Sequence, residues 1–427
     1  MSRASWRALR TELLRGTAPV AALATLVLGA VLMYSETNSW AARWMPFAAA
    51  VRFSTGVLAP IAIGLGVWQG GRERRRRINE QLASTARPAW QPLLVSFAAV
   101  TLGCWLGLVV VVVAAGALVA PVATYTGGGW WWLLAITPVT LAAATAVGIA
   151  LGRAIPTWVA APAAMIVGYG VQVIAHDNSP TGGLEWLVPS VLIYNAFGQT
   201  LPGQIHLGQA LWFGGLAATM LVLVAARRRV TATVPAAVAL AGATVLVASP
   251  GYGWEPDPVA SELVCAEEDP RVCLLRYEGF LLDDVTPAAQ QVLARFEGVP
   301  GGPSRAIGTG YDWALLGDEP YLLIDTGRVT ITGDLYPGEW LVVSWWPTLP
   351  CEPFDAYGEY LWLADLAGSW GNQQEPDPGW GTPELVAGYA TLTALPMAEQ
   401  QAWIGDFIAA SRSCDRAALA ELVERVA

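Results

Sequence analysis

The sequence contains no lysine, so all 24 of its basic residues are arginine. P-loop ATPases need a lysine to hold nucleotide phosphates, Schiff-base enzymes need a lysine amine, and protein kinases need a lysine for ATP. The chain therefore belongs to none of these three classes. Histidine is nearly as scarce, with only His176 and His206. Because neither follows residue 250, the C-terminal part holds no Ser-His-Asp triad, Cys-His pair or H-E-x-x-H zinc site.

Charge is also scarce, and it is unevenly distributed. Charged residues make up 14% of the 427 residues and hydrophobic residues 54%, whereas a soluble domain carries about 25% charge. Up to Ala248 there are 16 Arg and 6 acidic residues (+10), and from Pro250 there are 8 Arg and 28 acidic residues (−20), which sum to the net charge of −10. This split predicts two regions in two different environments.

Long apolar runs dominate the first region. A helix needs about 20 apolar residues to cross the hydrocarbon core of a bilayer. Seven runs approach this length: Thr17–Tyr34, Phe53–Gly70, Leu93–Ala120, Trp130–Gly152, Thr157–Ala175, Leu207–Ala226 and Val230–Ala248. They predict a polytopic α-helical membrane protein with about seven transmembrane helices. None of the runs has Asp, Glu, His or Arg in its interior, which disfavours a proton- or sodium-coupled carrier.

Arginine placement predicts the orientation. If every run crosses the membrane, 14 arginines fall on one side and only Arg43 and Arg52 on the other. Because arginine concentrates in cytoplasmic loops, we expect a multi-pass protein of the cell membrane with a cytoplasmic N-terminus. Residues 250–427 are then extracytoplasmic.

Two segments on the predicted cytoplasmic side have amphipathic character. In residues 1–16, Trp6, Leu9 and Leu13 recur at helical spacing with arginines opposite them, which predicts a helix on the membrane surface. Between the second and third runs, Ile78 and Leu82 lie one helical turn apart among arginines. Positive-inside charge alone explains these arginines, and a short helix with a docking face is the alternative interpretation.

The C-terminal region, residues 250–427, is long enough for a separate domain. Strand propensity at Arg271–Tyr277 and a hairpin of Tyr321–Asp325 with Arg328–Thr332 predict a sheet. Helices are expected from about Asp284 to Gly298, and at Phe354–Ala367, Pro383–Leu392, Met397–Arg412 and Ala417–Val426. The pattern predicts an acidic α+β domain.

Four of the five cysteines lie in this domain. Outside the cytoplasm an even set indicates disulfides, and we expect the pairs Cys265–Cys273 and Cys351–Cys414. Three pairings are open, and a zinc site of four thiolates is an alternative that lacks C-x-x-C spacing. No metal or other cofactor is expected, since His176 and His206 lack a clear third ligand. The domain has no basic cluster, so no nucleic-acid partner is expected.

Taken together, the first 230 residues resemble the permease subunits of type-2 ABC (ABC-2) exporters, in particular actinobacterial ones. Trp6–Leu14 matches the cytoplasmic amphipathic helix of that family, and the basic segment from Gly71 to Ser84 matches its coupling segment. Glu185–Gln204 matches its re-entrant outer hairpin. The seventh run and the C-terminal domain depart from the six-span pattern of the family.

The resemblance implies a transmembrane subunit of an ATP-driven exporter that is not itself an enzyme. A separate cytoplasmic ABC ATPase binds such a subunit, and two permease chains form a homo- or heterodimer. The residues implied in ATPase coupling act by contact: Arg74, Arg75, Arg76, Ile78, Glu80 and Leu82. The alternatives are a non-transporting membrane sensor or accessory protein whose outer domain binds an envelope ligand, and a membrane-tethered enzyme that uses outer-domain carboxylates.

Overall fold

The computed structural model describes residues 3–75, 90–177, 183–226, 228–250, 253–267, 270–308, 321–325, 329–330, 332–334, 342–344, 361–376 and 381–426. The chain forms two compact units, Met1–Asp257 and Pro258–Ala427. Each unit is described by itself below.

The first unit is a bundle of helices. Its α-helices are α1 (Arg3–Arg15), α2 (Ala18–Ser35), α3 (Thr37–Trp40), α4 (Trp44–Gly70), α5 (Arg72–Arg75), α6 (Trp90–Val119), α7 (Trp130–Ala154), α8 (Ala160–Asp177), α9 (Gly203–Ala225) and α10 (Thr233–Ala248). Short 3₁₀ helices span Gly183–Leu187, Ile193–Ala196 and Arg229–Ala232. Strand β1 (Gln199–Thr200) pairs antiparallel with β2 (Glu255–Pro256).

Six helical segments of the described chain are long and apolar enough to cross a membrane. They are α2, α4, α6, α7, α9 and Arg229–Ala248. Many of their large apolar side chains are exposed on the outside of the bundle, as Leu106 and Val113 of α6 are, which is the pattern expected of helices surrounded by lipid. This supports the prediction of a membrane-embedded helical protein.

The fifth predicted span, Thr157–Ala175, differs from the other six. It is helical as α8, but it is not among the segments that satisfy the length and hydropathy of a span. Gln172, His176 and Asp177 lower its hydropathy, whereas its length of 18 residues equals that of α2. Composition therefore supports six spans rather than the predicted seven.

Helices α4 and α7 run parallel and touch backbone to backbone. Gly66 and Gly70 of α4 lie one turn apart, as do Gly148 and Gly152 of α7. A Cβ on Gly148 would lie 2.1 Å from the Ile63 carbonyl oxygen, and one on Gly70 would lie 2.4 Å from that of Ile149. Two glycines four residues apart on each helix form a small-residue motif that lets helices approach closely in lipid.

The second unit contains a five-stranded mixed sheet. Its strands are β3 (Leu263–Cys265), β4 (Val272–Leu275), β5 (Arg305–Gly308), β6 (Tyr321–Asp325) and β7 (Val342–Ser344), in that spatial order. Helix α11 (Leu282–Arg295) connects the parallel strands β4 and β5. Helices α12 (Leu361–Asn372), α13 (Pro383–Ala394), α14 (Met397–Ser413) and α15 (Arg416–Glu424) follow the sheet.

Aromatic side chains of these helices form part of the core. Trp370 is fully buried, donates its indole N–H to Gln400 Oε1 at 2.6 Å and meets the Phe296 ring edge-on at 5.3 Å. Trp403 is also fully buried and stacks on Phe407. Burial of these indoles with a satisfied N–H is what large aromatic core residues require.

One predicted feature of this unit is wrong. Tyr321–Asp325 is a strand as expected, but its antiparallel neighbour is Val342–Ser344 rather than Arg328–Thr332. Strand β5 pairs with its other edge, so neither edge is left for a hairpin that turns at Thr326-Gly327. The first seven residues of the predicted helix Phe354–Ala367 lie outside the described residues.

The first predicted disulfide is confirmed. Cys265 and Cys273 face each other across β3 and β4 and form a disulfide. Cys414 is also disulfide-bonded; its predicted partner Cys351 lies outside the described residues, so that pairing stays a prediction. Cys104 is a buried free thiol in α6.

We expect Gly148→Ala to lower the free energy of unfolding by about 1–3 kcal/mol, because its methyl group would collide with the α4 backbone. Gly170→Ala is the matched control, since a Cβ there meets nothing within 4 Å. Thermal unfolding in detergent, followed by tryptophan fluorescence, measures both variants. Equal melting temperatures for the two variants would contradict this account of the α4–α7 contact.

Candidate functional site: the basic end of the helix bundle

Charged side chains of the first unit gather where α4 and α7 end. We call this the basic end and define it by Glu12, Arg72, Glu73, Arg74, Arg153 and Arg229. The opposite end is rich in tryptophan: Trp44 and Trp130, at the starts of α4 and α7, stack with ring centroids 4.4 Å apart. We call it the tryptophan end. Because α4 and α7 are parallel, both helices run from the tryptophan end to the basic end.

An ion pair attaches the N-terminal helix to the basic end. Arg72 of α5 donates two hydrogen bonds to the Glu12 carboxylate of α1, at 2.6 and 3.0 Å. Both side chains are less than one-third exposed, and a two-pronged pair of this kind is among the stronger polar contacts. Leu9 of α1 is buried against Ala18 and Ala99. Helix α1 is amphipathic as predicted, and its polar face is joined to α5.

A second ion pair joins α5 to α7. Arg153 lies 3.8 Å from the Glu73 carboxylate, and both side chains are about one-quarter exposed. Gly70 and Gly152, which belong to the glycine contact of α4 and α7, lie close in sequence to Glu73 and Arg153. Ion pairs thus connect α5 to both α1 and α7.

A cavity of about 630 Å³ opens at the basic end. Its charged lining comprises Glu73, Arg74, Arg153 and Arg229, and its apolar lining Ala150, Ala154, Leu223 and Val224, with Gly70 at one side. Three arginines against one glutamate give the cavity a net positive charge. It is suited to an acidic side chain or another anionic group from a partner, with apolar contacts beside it.

Two of the six predicted coupling residues, Arg74 and Arg75, lie in the described chain, and only Arg74 lines the cavity. Arg74 is exposed and lines the cavity. Arg75 folds back over the Trp68 ring, 4.6 Å from its centroid, and donates to the Trp68 carbonyl. Arg76, Ile78, Glu80 and Leu82 lie outside the described residues.

Arg153 and Arg229 were predicted for topology alone, although they line the cavity. Glu12 and Arg72 lie in the predicted amphipathic helix and the predicted coupling segment, but their ion pair was not predicted. The isolated position of Arg153, at the end of a long apolar run, is the only sequence signal. Its pairing with Glu73 depends on the α4–α7 contact, which no local pattern reports.

A buried polar cluster lies nearer the tryptophan end and corrects an expectation. Arg52 falls inside α4, not before it, and it is completely buried. Its Nη2 donates to Gln209 Oε1 of α9 at 3.3 Å, and Gln209 Nε2 donates to the Trp186 carbonyl at 3.3 Å. His206, one turn before Gln209, is buried against the Trp132 ring. The spans therefore do contain ionisable groups, although the six contain no Asp or Glu.

The histidines have separate partners. His176 Nε2 lies 2.9 Å from Ser190 Oγ, which in turn donates to Gln172 Oε1 at 3.0 Å. Gln172 also donates to the Gly56 carbonyl of α4. Across the described ranges, no group of three or more His, Cys, Asp or Glu side chains could hold a metal ion.

Comparison of the chain with known protein families, with curated proteins and with solved structures finds no match. The resemblance to type-2 ABC permeases thus rests on the sequence features named above. The geometry of the basic end and of the Arg52 cluster is independent of that resemblance.

Replacing Arg72 by Ala should release α1 from the bundle and cost about 1–2 kcal/mol, because Glu12 loses a charge-assisted partner. Limited trypsin digestion should then cleave faster at Arg7 and Arg10. Arg15→Ala serves as the control, since Arg15 is exposed on the same helix. The exchange Glu12→Arg with Arg72→Glu should recover part of the protection, and no recovery would argue against a direct ion pair.

Proposed function

We propose that this chain is the transmembrane subunit of an ATP-driven exporter of the ABC-2 type, whose separate cytoplasmic ATPase docks at the basic end. The observation that carries the proposal is the cavity lined by Arg74, Arg153 and Arg229. A positively charged, partly apolar cleft is suited to an acidic, amphipathic element of a partner protein.

Orientation in the membrane follows from the same charges. The basic end concentrates arginine, and such ends face the cytoplasm. In the proposed topology the chain lies in the cell membrane with its N-terminus inside. The tryptophan end then lies at the outer interface, where indole rings are favoured.

Helix α8 serves as a seventh crossing in this proposal. Three contacts give its direction. Met165, Gly168 and Gln172 of α8 contact Gly64, Pro60 and Gly56 of α4, in that order. The last contact is a hydrogen bond from Gln172 to the Gly56 carbonyl. Helix α8 therefore runs antiparallel to α4, from the basic half toward the tryptophan end. Its 18 residues span about 27 Å, which is close to the roughly 30 Å of the hydrocarbon core.

Seven crossings make the C-terminal unit extracytoplasmic. The Cys265–Cys273 disulfide fits this side, because disulfides persist in oxidising compartments and are rare in the cytoplasm. The unit's excess of acidic residues and its lack of histidine give it no evident chemistry of its own. It is assigned to ligand or partner contact outside the cell.

Coupling in the proposed mechanism is mechanical. Closure of the ATPase on nucleotide displaces the segment that begins with α5. The Arg72–Glu12 and Arg153–Glu73 pairs pass that displacement to α1 and α7, and the glycine contact makes α4 and α7 move as one body. Two such chains, identical or different, enclose the substrate path.

The competing function is a non-transporting membrane sensor or accessory protein. A separately folded, disulfide-bonded C-terminal unit favours it, since such a unit suits recognition of an envelope ligand. It differs from the exporter in needing no ATPase at the basic end.

The exporter proposal predicts that the tagged chain, purified from native membranes in mild detergent, brings a P-loop ATPase with it in stoichiometric amount. Two variants should reduce the recovered ATPase at least about tenfold: Arg74→Glu, and the double variant Ile78→Glu with Leu82→Glu. The first repels an acidic partner, and the second replaces apolar contacts of the docking face by charges. Mass spectrometry of the eluate quantifies the partner.

Arg271→Glu, an exposed change in the C-terminal unit, is the control and should leave ATPase recovery unchanged. Recovery of the intact chain without any ATPase would remove the exporter proposal and favour the sensor. Equal loss in all variants would indicate a general folding defect rather than a docking face.

A further inference from the structure

Arg52 is a buried cation for which the described chain supplies no anion. It is the ninth residue of α4, about 12 Å from the tryptophan end of the helix, and none of its surface is exposed. Its one hydrogen bond to a side chain goes to the neutral amide of Gln209. Nε and Nη1 have no hydrogen-bond partner.

Arginine cannot relieve this situation by losing its proton, because its guanidinium stays charged in proteins. A charged group inside a span is paired with an opposite charge, or it marks the path of a ligand. The six candidate spans contain no Asp or Glu, and Arg52 forms no ion pair with a described residue. Glu185, buried in the 3₁₀ helix Gly183–Leu187, is not within ion-pair distance of Arg52.

Other polar groups at this place are also unsatisfied. His206 Nδ1 is buried without a hydrogen-bond partner, and His206 lies one turn before Gln209 on α9. Nε and Nη1 of Arg52 together hold three N–H donors. Several donors and a positive charge, enclosed among α4, α9 and Trp132, match a group with several negatively charged acceptor oxygens.

We propose that Arg52, with Gln209 and His206, binds an oxyanion, a carboxylate or phosphate, carried by the molecule that this protein exports. That the bound molecule is exported rests on the proposed function. The anion site itself rests on the geometry alone. Because Arg52 is fully enclosed, the ligand reaches it when α4 and α9 separate transiently, a motion that requires no ATPase. The oxyanion belongs either to a lipid headgroup or to a water-soluble molecule.

The test uses the full chain in nanodiscs of phosphatidylcholine, with thermal unfolding followed by tryptophan fluorescence. Three anion probes are compared: phosphatidylglycerol mixed into the nanodisc, inorganic phosphate and acetate. At least one should raise the melting temperature of the wild type, because a ligand that binds only the folded state stabilises it. A rise with phosphatidylglycerol alone identifies a lipid source, and a rise with phosphate or acetate identifies a soluble one.

Two substitutions test whether the effect of the anion arises at Arg52. Arg52→Met should unfold at the same temperature as the wild type or higher without an added anion, because it removes an unpaired buried charge, and it should gain nothing from any probe. Arg52→Lys keeps the charge but loses the planar donors, so its apparent affinity for the anion should fall at least about tenfold. Arg271→Met, an exposed change in the C-terminal unit, is the control and should respond to the anion as the wild type does.

The proposal is overturned if no probe raises the wild-type melting temperature, or if Arg52→Met gains as much as the wild type. It is also overturned if Arg52→Met is much less stable than the wild type without anion, because Arg52 is then a structural residue with a partner of its own. The measurement contains no ATPase. If ATPase copurification fails and the anion effect holds, the exporter function falls and the site stands.

Discussion

The first unit depends on the direct contact between the backbones of α4 and α7. Four glycines, at positions 66, 70, 148 and 152, leave no room for a side chain between these helices. In lipid there is no hydrophobic force to press helices together, so close packing of small residues is what holds them. This contact sets the parallel direction of both helices and therefore fixes which charged residues meet at each end.

The candidate site follows from that arrangement. Since α4 and α7 end together, Glu73 lies within reach of Arg153, and the turn after Gly70 becomes the wall of a positively charged cavity. Helix α1 is joined to the same place through Glu12 and Arg72. Arg52 lies on the same α4 helix, further toward the tryptophan end, so one helix connects the proposed docking site to the proposed anion site.

The sequence predicted the positions of the long apolar helices well, because an apolar run is a local signal. It also predicted β4, α13, α14 and the Cys265–Cys273 disulfide. It failed at Arg52 for a physical reason: hydropathy places the edge of a span at the first charge, although the apolar residues Trp44–Val51 continue the helix beyond it. The partner of β6 was missed because Val342–Ser344 is distant in the chain, while the hairpin rule considers only adjacent residues.

Glycine spacing illustrates the same limit. The pairs Gly66 with Gly70 and Gly148 with Gly152 are visible in the sequence, but so is Gly103 with Gly107, which packs α6 against Ala18 and Ala22 of α2 instead. Spacing thus identifies a contact surface without identifying the helix that covers it. The Arg153–Glu73 pair and the cavity could not be predicted without that knowledge.

The central claim is that the basic end faces the cytoplasm and the tryptophan end faces outward. Labelling of single introduced cysteines with a membrane-impermeant maleimide in intact cells tests it most directly. Ala154→Cys at the basic end and Gly203→Cys at the tryptophan end are both exposed positions. The account predicts that Gly203→Cys is labelled in intact cells and that Ala154→Cys is labelled only after permeabilisation. In each case the labelling of the parent protein, without the introduced cysteine, is subtracted. Labelling of Ala154→Cys in intact cells would contradict it, and with it the docking of a cytoplasmic ATPase at that end.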